Sequence, residues 1–235
     1  MIPKTIHYCW FGRTPKPALA ERCIASLHKY CPDYEIIEWT EDTFDVHMNG
    51  YTSWCHENKK WAFLSDYARL WIVRNHGGLY FDTDVEVIRP LDDLLQYSAF
   101  YAFENPQYVA SGLGFGAEAN HPTVCAMEQK YLDLQPDSNG KFHPTGCPHF
   151  NTQALVSFGL TLNGELQQLG DAVILPAEYM NPYDDPTGRL NRTANTYSIH
   201  WYSKSWLSKK AILRSRLAQP FHRLFGTHCF SKLKK

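Results

Sequence analysis

Residues 77–84 read Gly-Gly-Leu-Tyr-Phe-Asp-Thr-Asp, and this stretch decides the interpretation of the fold. Residues 79–81 form a short apolar run typical of a buried strand, and the glycine pair before it is typical of a helix end. Asp82 and Asp84 follow at the point where the strand gives way to a loop. Residues two apart on a strict strand point to the same side, so both carboxylates would face one place.

Two carboxylates at the end of a strand suit a hard divalent cation. Mg²⁺ and Mn²⁺ prefer oxygen ligands, and Mg²⁺ is commonly held by one or two carboxylates together with substrate phosphates. The Asp82 and Asp84 pair therefore predicts a cation site for a diphosphate-bearing substrate. Asp-x-Asp alone is a common pattern, and its alternative interpretation is an aspartate-rich turn that caps the next segment.

Strand-like and helix-like runs alternate around this motif. The predicted strands lie at 5–11, 34–39 and 79–81, and the predicted helices at 17–30 and 60–76. This order implies a single α/β domain with a mainly parallel central sheet flanked by helices. The second half predicts short strands at 99–103, 112–115, 172–175 and 197–201, helices at 121–134 and 150–158, and a turn-rich mobile segment at 183–193.

The composition fits one globular domain. The chain has 235 residues, of which 44% are hydrophobic and 20% charged, enough to bury a sizeable core. Its seven cysteines are odd in number and show no C-x-x-C spacing, which indicates reduced thiols in a cytoplasmic protein and no zinc site. Neither a signal peptide nor an apolar run of the roughly 18 residues that span a membrane is visible. The chain contains no P-loop or G-x-G-x-x-G motif.

The charge is uneven along the chain. Residues 204–235 hold nine of the 23 Lys and Arg residues and none of the 24 Asp and Glu residues. Leu213, Leu217, Phe221 and Leu224 fall on one stripe of a predicted helix within this segment. We therefore expect a basic amphipathic tail at 207–235, which contacts an anionic membrane or, alternatively, packs on the body as a solvated helix.

Other polar and aromatic residues fall where the predicted fold would bring them to the motif. Asp66 and Arg69 lie three apart on one helix face, with a surface ion pair as the alternative. Trp10 follows the first strand and offers a ring on which a base can stack, or else belongs to the core. His200 ends the last strand and could complete a metal shell, while Ser205 and Trp206 offer donors to a phosphate.

Together these residues resemble glycosyltransferase family 32, the DXD sugar-binding family. It includes bacterial capsular and lipopolysaccharide transferases and a fungal initiating mannosyltransferase, and the clostridial toxin glucosyltransferase domains are similar at a greater distance. The matching segments are 2–12, 62–69, 77–86 and 200–206, in order along nearly the whole chain. The resemblance implies a GT-A fold over 1–206 and transfer of a hexosyl or N-acetylhexosaminyl group from a nucleotide diphosphate sugar, with retention at the anomeric carbon.

The resemblance also implies roles for individual residues. Those expected to bind the donor are Trp10, Asp66, Arg69, Tyr80, Asp82, Ser205 and Trp206, and Asp66, Arg69, Asp82 and Asp84 are expected to serve catalysis. Asp82, Asp84 and His200 are expected to hold Mn²⁺ or Mg²⁺. The donor is expected to be a UDP-sugar, with a GDP-sugar as the alternative. On the acceptor side, the polar residues of interest are Glu104, Asn105 and Asn151, near Thr-Gly-Cys-Pro at 145–148, where the family often has Thr-Gly-Pro.

The expected partners are therefore the donor and a saccharide or lipid-linked saccharide acceptor in surface polysaccharide synthesis, with no nucleic acid. The expected location is the cytoplasm, peripheral to the inner face of the cell membrane if the tail binds lipid. Two other functions stay open at this point. One is a metal-dependent phosphohydrolase of nucleotide diphosphates, which would need a richer carboxylate and histidine cluster. The other is a non-catalytic carbohydrate-binding protein, which aromatic residues alone would support.

Overall fold

The computed structural model describes residues 1–204, 207–227 and 229. A mixed central sheet forms its middle layer. Across the sheet the strands are β2 (Glu35–Trp39), β1 (Thr5–Cys9), β3 (Gly78–Tyr80), β7 (Phe115–Ala117), β5 (Ala99–Asn105), β9 (Ala172–Leu175) and β8 (Gln167–Leu169), and β6 (Tyr108–Val109) pairs with β5. β1, β2, β3, β5 and β9 run in one direction, whereas β7 and β8 run in the other. The expected mainly parallel sheet is confirmed.

Helices cover both faces of this sheet. They are α1 (Ala18–Tyr30), α2 (Gly50–Glu57), α3 (Trp61–His76), α4 (Pro122–Leu132), α5 (Cys147–Val156) and the short α6 (Ala177–Met180), whereas α7 (Lys209–Phe225) lies outside these two layers. Buried side chains of α2, α3, α4 and α5 pack on one face, and those of α1 and α6 pack on the other. Side chains along β5 alternate between the two faces of the sheet. Tyr101 and Phe103 pack with the helices of the first face, and Phe100 and Ala102 pack on the second.

Two small antiparallel pairs lie outside the central sheet. β4 (Val85–Val87) pairs with β12 (Ser198–His200), in a register that sets His200 opposite Val85. β10 (Tyr183–Asp184) pairs with β11 (Arg189–Leu190) to form a hairpin within the segment expected to be mobile. The pairing of β4 with β12 brings residues near the end of the chain beside the segment that holds Asp82 and Asp84.

The turn between α3 and β3 depends on its two glycines. Gly77 and Gly78 have φ values of 66° and 98°, in the left-handed region that disfavours other residues. A Cβ atom on Gly78 would also lie 2.6 Å from the carbonyl oxygen of Thr5 on β1. The glycine pair therefore lets β3 enter the sheet directly from the helix, which fixes where the strand ends and the aspartates begin.

Most predicted elements are present, with boundaries that differ by a few residues. The predicted strand at 112–115 is partly wrong, because Ser111–Leu113 forms a 3₁₀ turn and the strand begins at Phe115. α2 was not predicted from the sequence. It begins with a capping box in which Asn49 and Thr52 satisfy each other's backbone N–H groups.

Candidate active site

The site lies where the carboxyl ends of β1 and β3 meet. These strands are parallel, with His7 opposite Tyr80, so the residues that follow them emerge at one edge of the sheet. Trp10 lies directly after β1, half-buried, and its indole N–H donates to the carbonyl oxygen of Thr14 at 2.7 Å. Lys16 Nζ lies 5.8 Å from the centre of the Trp10 ring. The ring is thus held in place at the edge where Asp82 emerges.

Asp82 turns toward α3 and is held by two donors. Arg69 Nη2 lies 2.9 Å from Asp82 Oδ1, and the Tyr80 hydroxyl donates to the same oxygen at 3.1 Å. The Arg69 guanidinium lies over the Tyr80 ring, with Cζ 5.0 Å from the ring centre. Burial raises the pKa of Asp82 to about 6; the charge of Arg69 opposes this rise, and the charge of Asp84 adds to it.

Asp66 lies on the other side of Arg69. Arg69 Nη2 also lies 2.9 Å from Asp66 Oδ1, so one nitrogen bridges two carboxylates. The expected pairing of Asp66 with Arg69 is therefore present, but the alternative of a surface ion pair is wrong because Arg69 is only 2% exposed. Burial raises the pKa of Asp66, while Arg69 and hydrogen bonds from Cys147, at the start of α5, oppose that rise.

Asp84 has different partners, which lie near the end of the chain. Its Oδ1 atom lies 3.3 Å from His200 Nε2, and its Oδ2 atom accepts a hydrogen bond from the backbone N–H of Ser203 at 2.7 Å. Burial alone would raise the pKa of Asp84, but the charge of His200 and these hydrogen bonds lower it well below its usual range. Burial lowers the pKa of His200, and the charge of Asp84 more than offsets this, so it is raised.

The two aspartates of the motif have different partners. A common orientation was expected for a strict strand, but β3 ends at Tyr80 and the aspartates lie between β3 and β4. Asp82 contacts Arg69 and Tyr80, whereas Asp84 contacts His200 and Ser203, so the motif links two polar groups.

Gly112 lets the loop after β6 approach these side chains. A Cβ atom at this position would lie 2.6 Å from Asp82 Oδ2 and 3.0 Å from Arg69 Nη1. Gly112 thus forms part of one wall of the site. Asn151, expected on the acceptor side, instead accepts a hydrogen bond from the backbone N–H of Ser111 and is fully buried.

The donor atoms present fit a divalent cation in part. Asp84 Oδ1 and His200 Nε2 are 3.3 Å apart, close to the separation of about 3 Å expected for adjacent ligands of an octahedral ion. His200 Nδ1 is buried without a hydrogen-bond partner among the described residues. Within those same residues no three His, Cys, Asp or Glu side chains converge as a preformed metal site. Asp84 and His200 would supply two adjacent ligands, and the expected metal-binding roles of Asp82, Asp84 and His200 stay predictions.

A cleft of about 540 Å³ adjoins this site on the side of β5. Tyr202 lies between them, because its ring centre is 4.0 Å from that of His200 and its hydroxyl donates to Glu104 Oε1 at 3.3 Å. The Tyr202 hydroxyl also accepts a hydrogen bond from Asn181 at 2.8 Å. Glu104 and Asn105 line the cleft as expected, together with the hairpin formed by β10 and β11.

Tyr202 and Ser203 were not singled out from the sequence. Tyr202 and Lys204 have φ values of 49° and 54°, an unusual backbone conformation for residues other than glycine. This conformation aims the Ser203 N–H at Asp84. The only sequence signal was their position in the aromatic run that begins at His200. Ser205 and Trp206, the expected phosphate donors, lie outside the described residues.

An α/β domain with Asp-x-Asp at the carboxyl edge of its sheet is the architecture expected of a nucleotide-sugar glycosyltransferase. Residues 17–101 match the family model described as the glycosyltransferase sugar-binding region containing the DXD motif. The matched range includes Asp66, Arg69, Asp82 and Asp84. This match confirms the expected resemblance to glycosyltransferase family 32, the DXD sugar-binding family, over residues 17–101.

Several relatives with curated names are similar to this chain. An inositol phosphoceramide mannosyltransferase of Schizosaccharomyces pombe is 29% identical over 131 residues, which cover 52% of this chain and 35% of that protein. A mannosyl phosphorylinositol ceramide synthase of Saccharomyces cerevisiae is 30% identical over 129 residues, which cover 52% and 33%. An uncharacterized glycosyltransferase of Acanthamoeba polyphaga mimivirus is 23% identical over 218 residues, which cover 88% and 84%. The chain thus matches about a third of the length of these two fungal relatives.

Two solved structures are similar at a lower level. A glycosyltransferase involved in the glycosylation of the major capsid of PBCV-1 is 10% identical, with a TM-score of 0.49 over 91% of this chain and 98% of that one. A galactosyltransferase in complex with donor and acceptor sugar analogues is 13% identical, with a TM-score of 0.44 over 97% and 94%. Both likenesses lie below the level at which they would identify individual site residues.

Proposed function

We propose that this protein is a metal-dependent, retaining glycosyltransferase that moves a sugar from a nucleotide diphosphate sugar to a saccharide acceptor in surface polysaccharide synthesis. One observation carries the proposal: the motif joins the Asp84 and His200 pair to the buried Asp66, Arg69 and Asp82 cluster, with an open polar cleft beside them. A diphosphate, its sugar and an acceptor would then occupy adjacent parts of one edge of the sheet.

The diphosphate end of the donor would lie at Asp84 and His200. A bound Mn²⁺ or Mg²⁺ would compensate the negative charge that develops on the departing nucleoside diphosphate. Asp84 suits this role because it stays ionised across the physiological range, given its lowered pKa. The hydrogen bond from the Ser203 N–H holds the carboxylate in one orientation, so little reorganisation is needed when the charge develops.

The donor sugar would lie toward the Arg69 cluster. Asp66 and Asp82 are both engaged by Arg69, and Asp82 also accepts from Tyr80, so these carboxylates are positioned to bind hydroxyl groups rather than to attack carbon. Retention would then follow front-face attack. The acceptor oxygen bonds to the anomeric carbon as the bond to the β-phosphate oxygen breaks, and the acceptor proton passes to a phosphate oxygen.

The nucleotide and sugar are proposed by analogy with the family. UDP is preferred over GDP, and Trp10 would stack on the base at the end of β1, with Ser205 and Trp206 as proposed phosphate donors. The names of the fungal relatives, which describe mannosyl transfer, favour a hexosyl donor over an N-acetylhexosaminyl donor. The aligned regions cover only about a third of the length of those relatives, so this preference rests on the aligned part alone.

The acceptor would enter through the cleft lined by Glu104 and Tyr202. Polar and aromatic side chains at this position suit a sugar, which offers hydroxyl groups at its edges and apolar C–H groups on its faces. Burial raises the pKa of Glu104, whose carboxylate faces His200 and the Tyr202 hydroxyl. The proposed setting is the cytoplasm, which suits a protein whose cysteines are free thiols.

A panel of UDP- and GDP-sugars tests the proposed function. Each donor is incubated with the protein and Mn²⁺, with and without simple saccharide acceptors, and both free sugar and new glycoside are measured. We expect one donor to be consumed only in the presence of metal. We also expect the new glycoside to have the same anomeric configuration, α or β, as that donor. Consumption of no donor would contradict the proposal, and cleavage between the phosphates would support the phosphohydrolase alternative instead.

A further inference from the structure

Helix α7 exposes its apolar side chains to solvent. Leu213, Leu217 and Leu224 are 59%, 64% and 76% exposed, and Phe225 at the end of the helix is 70% exposed. The three leucines lie within one narrow stripe, because they are spaced four and seven residues apart. A helix on the surface of a globular protein normally buries such a stripe against the core. Here the stripe faces away from the body.

The opposite face of α7, which is polar, contacts the body. Gln219 donates to the Tyr183 hydroxyl at 3.2 Å and to the Asp185 carbonyl oxygen at 2.9 Å. Arg223 donates to the carbonyl oxygens of Thr187 and Gly188 at 3.0 Å each. These hydrogen bonds hold the helix on the hairpin formed by β10 and β11, so its orientation, with leucines outward, is set by specific contacts.

Basic side chains flank the leucine stripe on both sides. Lys210 and Arg214 lie four residues apart along one side, and Arg216 lies along the other. The helix contains no Asp or Glu, and the whole segment 204–235 contains none. An apolar stripe bordered by cations matches the interface of an anionic bilayer, where acyl chains lie beneath negatively charged headgroups.

We propose that α7 docks this protein on the surface of an anionic lipid bilayer, with Leu213, Leu217 and Leu224 inserted among the acyl chains. Among the described residues, no helix is long and apolar enough to cross a membrane, so the contact is peripheral. The charge of the helix favours a lipid surface over a second copy of the chain, since two such helices would bring like charges together.

Docking by α7 would orient the cleft relative to the bilayer. The hairpin that receives Gln219 and Arg223 also lines the cleft beside Glu104 and Tyr202. Lys204 reinforces this connection, because its Nζ atom contacts both Ser215 Oγ at 2.6 Å and an Asp185 carboxylate oxygen at 2.7 Å. The mouth of the cleft is thereby fixed beside the docked helix, where an acceptor attached to lipid would be presented.

Vesicle sedimentation tests the proposal. The full chain is mixed with vesicles of phosphatidylcholine alone or of phosphatidylcholine with phosphatidylglycerol, at low and high salt. We expect binding to the anionic vesicles, weakened by salt. The double variant Leu217→Ser/Leu224→Ser should lower the partition coefficient at least about tenfold. Arg214→Gln should weaken binding to the anionic vesicles only.

Leu166→Ser is the matched control, because Leu166 is also 59% exposed but lies outside the helix. It should bind like the wild type, and circular dichroism should verify that all variants are folded. Absence of wild-type binding to anionic vesicles, or full binding by the leucine variant, would overturn the proposal. A concentration-dependent dimer that the leucine variant loses, without vesicle binding, would mean that the stripe contacts a second copy. Vesicle binding does not require transfer activity, so either proposal can fail without the other.

Discussion

Asp84 Oδ1 lies 3.3 Å from His200 Nε2, and this contact joins the turn after β3 to the last strand of the domain. The contact depends on the antiparallel pairing of β4 with β12, which sets His200 opposite Val85. The half of the proposed site that is assigned to the metal is therefore built from two segments far apart in sequence, which the strand pairing holds together.

The first prediction concerns His200. Replacing it with Asn removes the imidazole nitrogen that would ligate the metal beside Asp84, so we expect at least a tenfold rise in the Mn²⁺ concentration that gives half-maximal donor turnover. A metal titration of the initial rate measures this change. His28→Asn on the exposed face of α1 is the control and should leave the titration unchanged. A His200→Asn enzyme with wild-type metal dependence would remove His200 from the ligand set.

The second prediction concerns Arg69, which bridges two buried carboxylates. Arg69→Met leaves Asp66 and Asp82 without their cation, so we expect the free energy of unfolding to fall by about 3–5 kcal/mol near neutral pH. Urea denaturation measures this free energy of unfolding. The loss should shrink at acid pH, where both carboxylates become protonated and need no counter-charge. A loss of less than about 1 kcal/mol would mean that these ion pairs are solvated and contribute little to the stability of the fold.

The third prediction concerns Gly112. In Gly112→Ala the new methyl group would lie 2.6 Å from Asp82 Oδ2, so Asp82 or the loop must move. Because small displacements of positioning groups are costly in catalysis, we expect donor turnover to fall about 100-fold. Gly50→Ala is the matched control, since its Cβ atom would meet only Phe142 at an ordinary distance of 3.8 Å. Equal activity of the two variants would place Asp82 outside the working site.

Much of the fold was predictable from local patterns. Apolar periodicity and the glycine pair located α1, α3 and the strands around them, because their buried faces repeat at helical or strand spacing. Helix α2 was not predictable from apolar periodicity, because its stability depends on the capping box between Asn49 and Thr52 and on packing. The strand at 197–201 was predicted, but its pairing with β4 was not, because β4 has only three residues and carries no signal of its own.

The arrangement of the candidate site residues was not predictable from the sequence. Asp66, Arg69, Asp82 and Asp84 were selected by spacing and by resemblance, and the structure brings each of them to the same edge of the sheet. Their division into two groups was not foreseen, because it depends on where β3 ends. The role of Tyr202 was hidden as well, since it depends on contacts with His200 and Glu104 that only the tertiary structure creates.

The fourth prediction concerns His7, a buried residue outside the proposed chemistry. Trp39 donates to its Nδ1 atom at 3.2 Å, and Nε2 lies 3.0 Å from the carbonyl oxygen of Gly77, so the neutral ring satisfies both contacts. Burial lowers the pKa of His7 from 6.5 to about 4. The unfolded chain therefore takes up a proton near pH 6.5, whereas the folded protein does so only near pH 4.

The stability that neutral His7 contributes should be complete above pH 6.5 and should fall by about 3 kcal/mol as the pH drops toward 4. Chemical denaturation across this range measures the slope. His7→Gln can keep both hydrogen bonds but cannot titrate, so its stability should depend less steeply on pH in the same window. Identical slopes for the two proteins would show that His7 is not the group responsible.

The measurement that tests the central claim most directly is calorimetric titration of UDP and of GDP into the wild type and into Asp84→Asn, with and without Mn²⁺. Asn keeps the size of the side chain and removes its charge. We predict that one nucleotide binds the wild type at least about tenfold more tightly with Mn²⁺, and that Asp84→Asn loses this gain while remaining folded. A wild type that gains nothing from Mn²⁺ with either nucleotide, or an Asp84→Asn variant that keeps the full gain, would contradict the assignment of Asp84 to a metal-dependent diphosphate site.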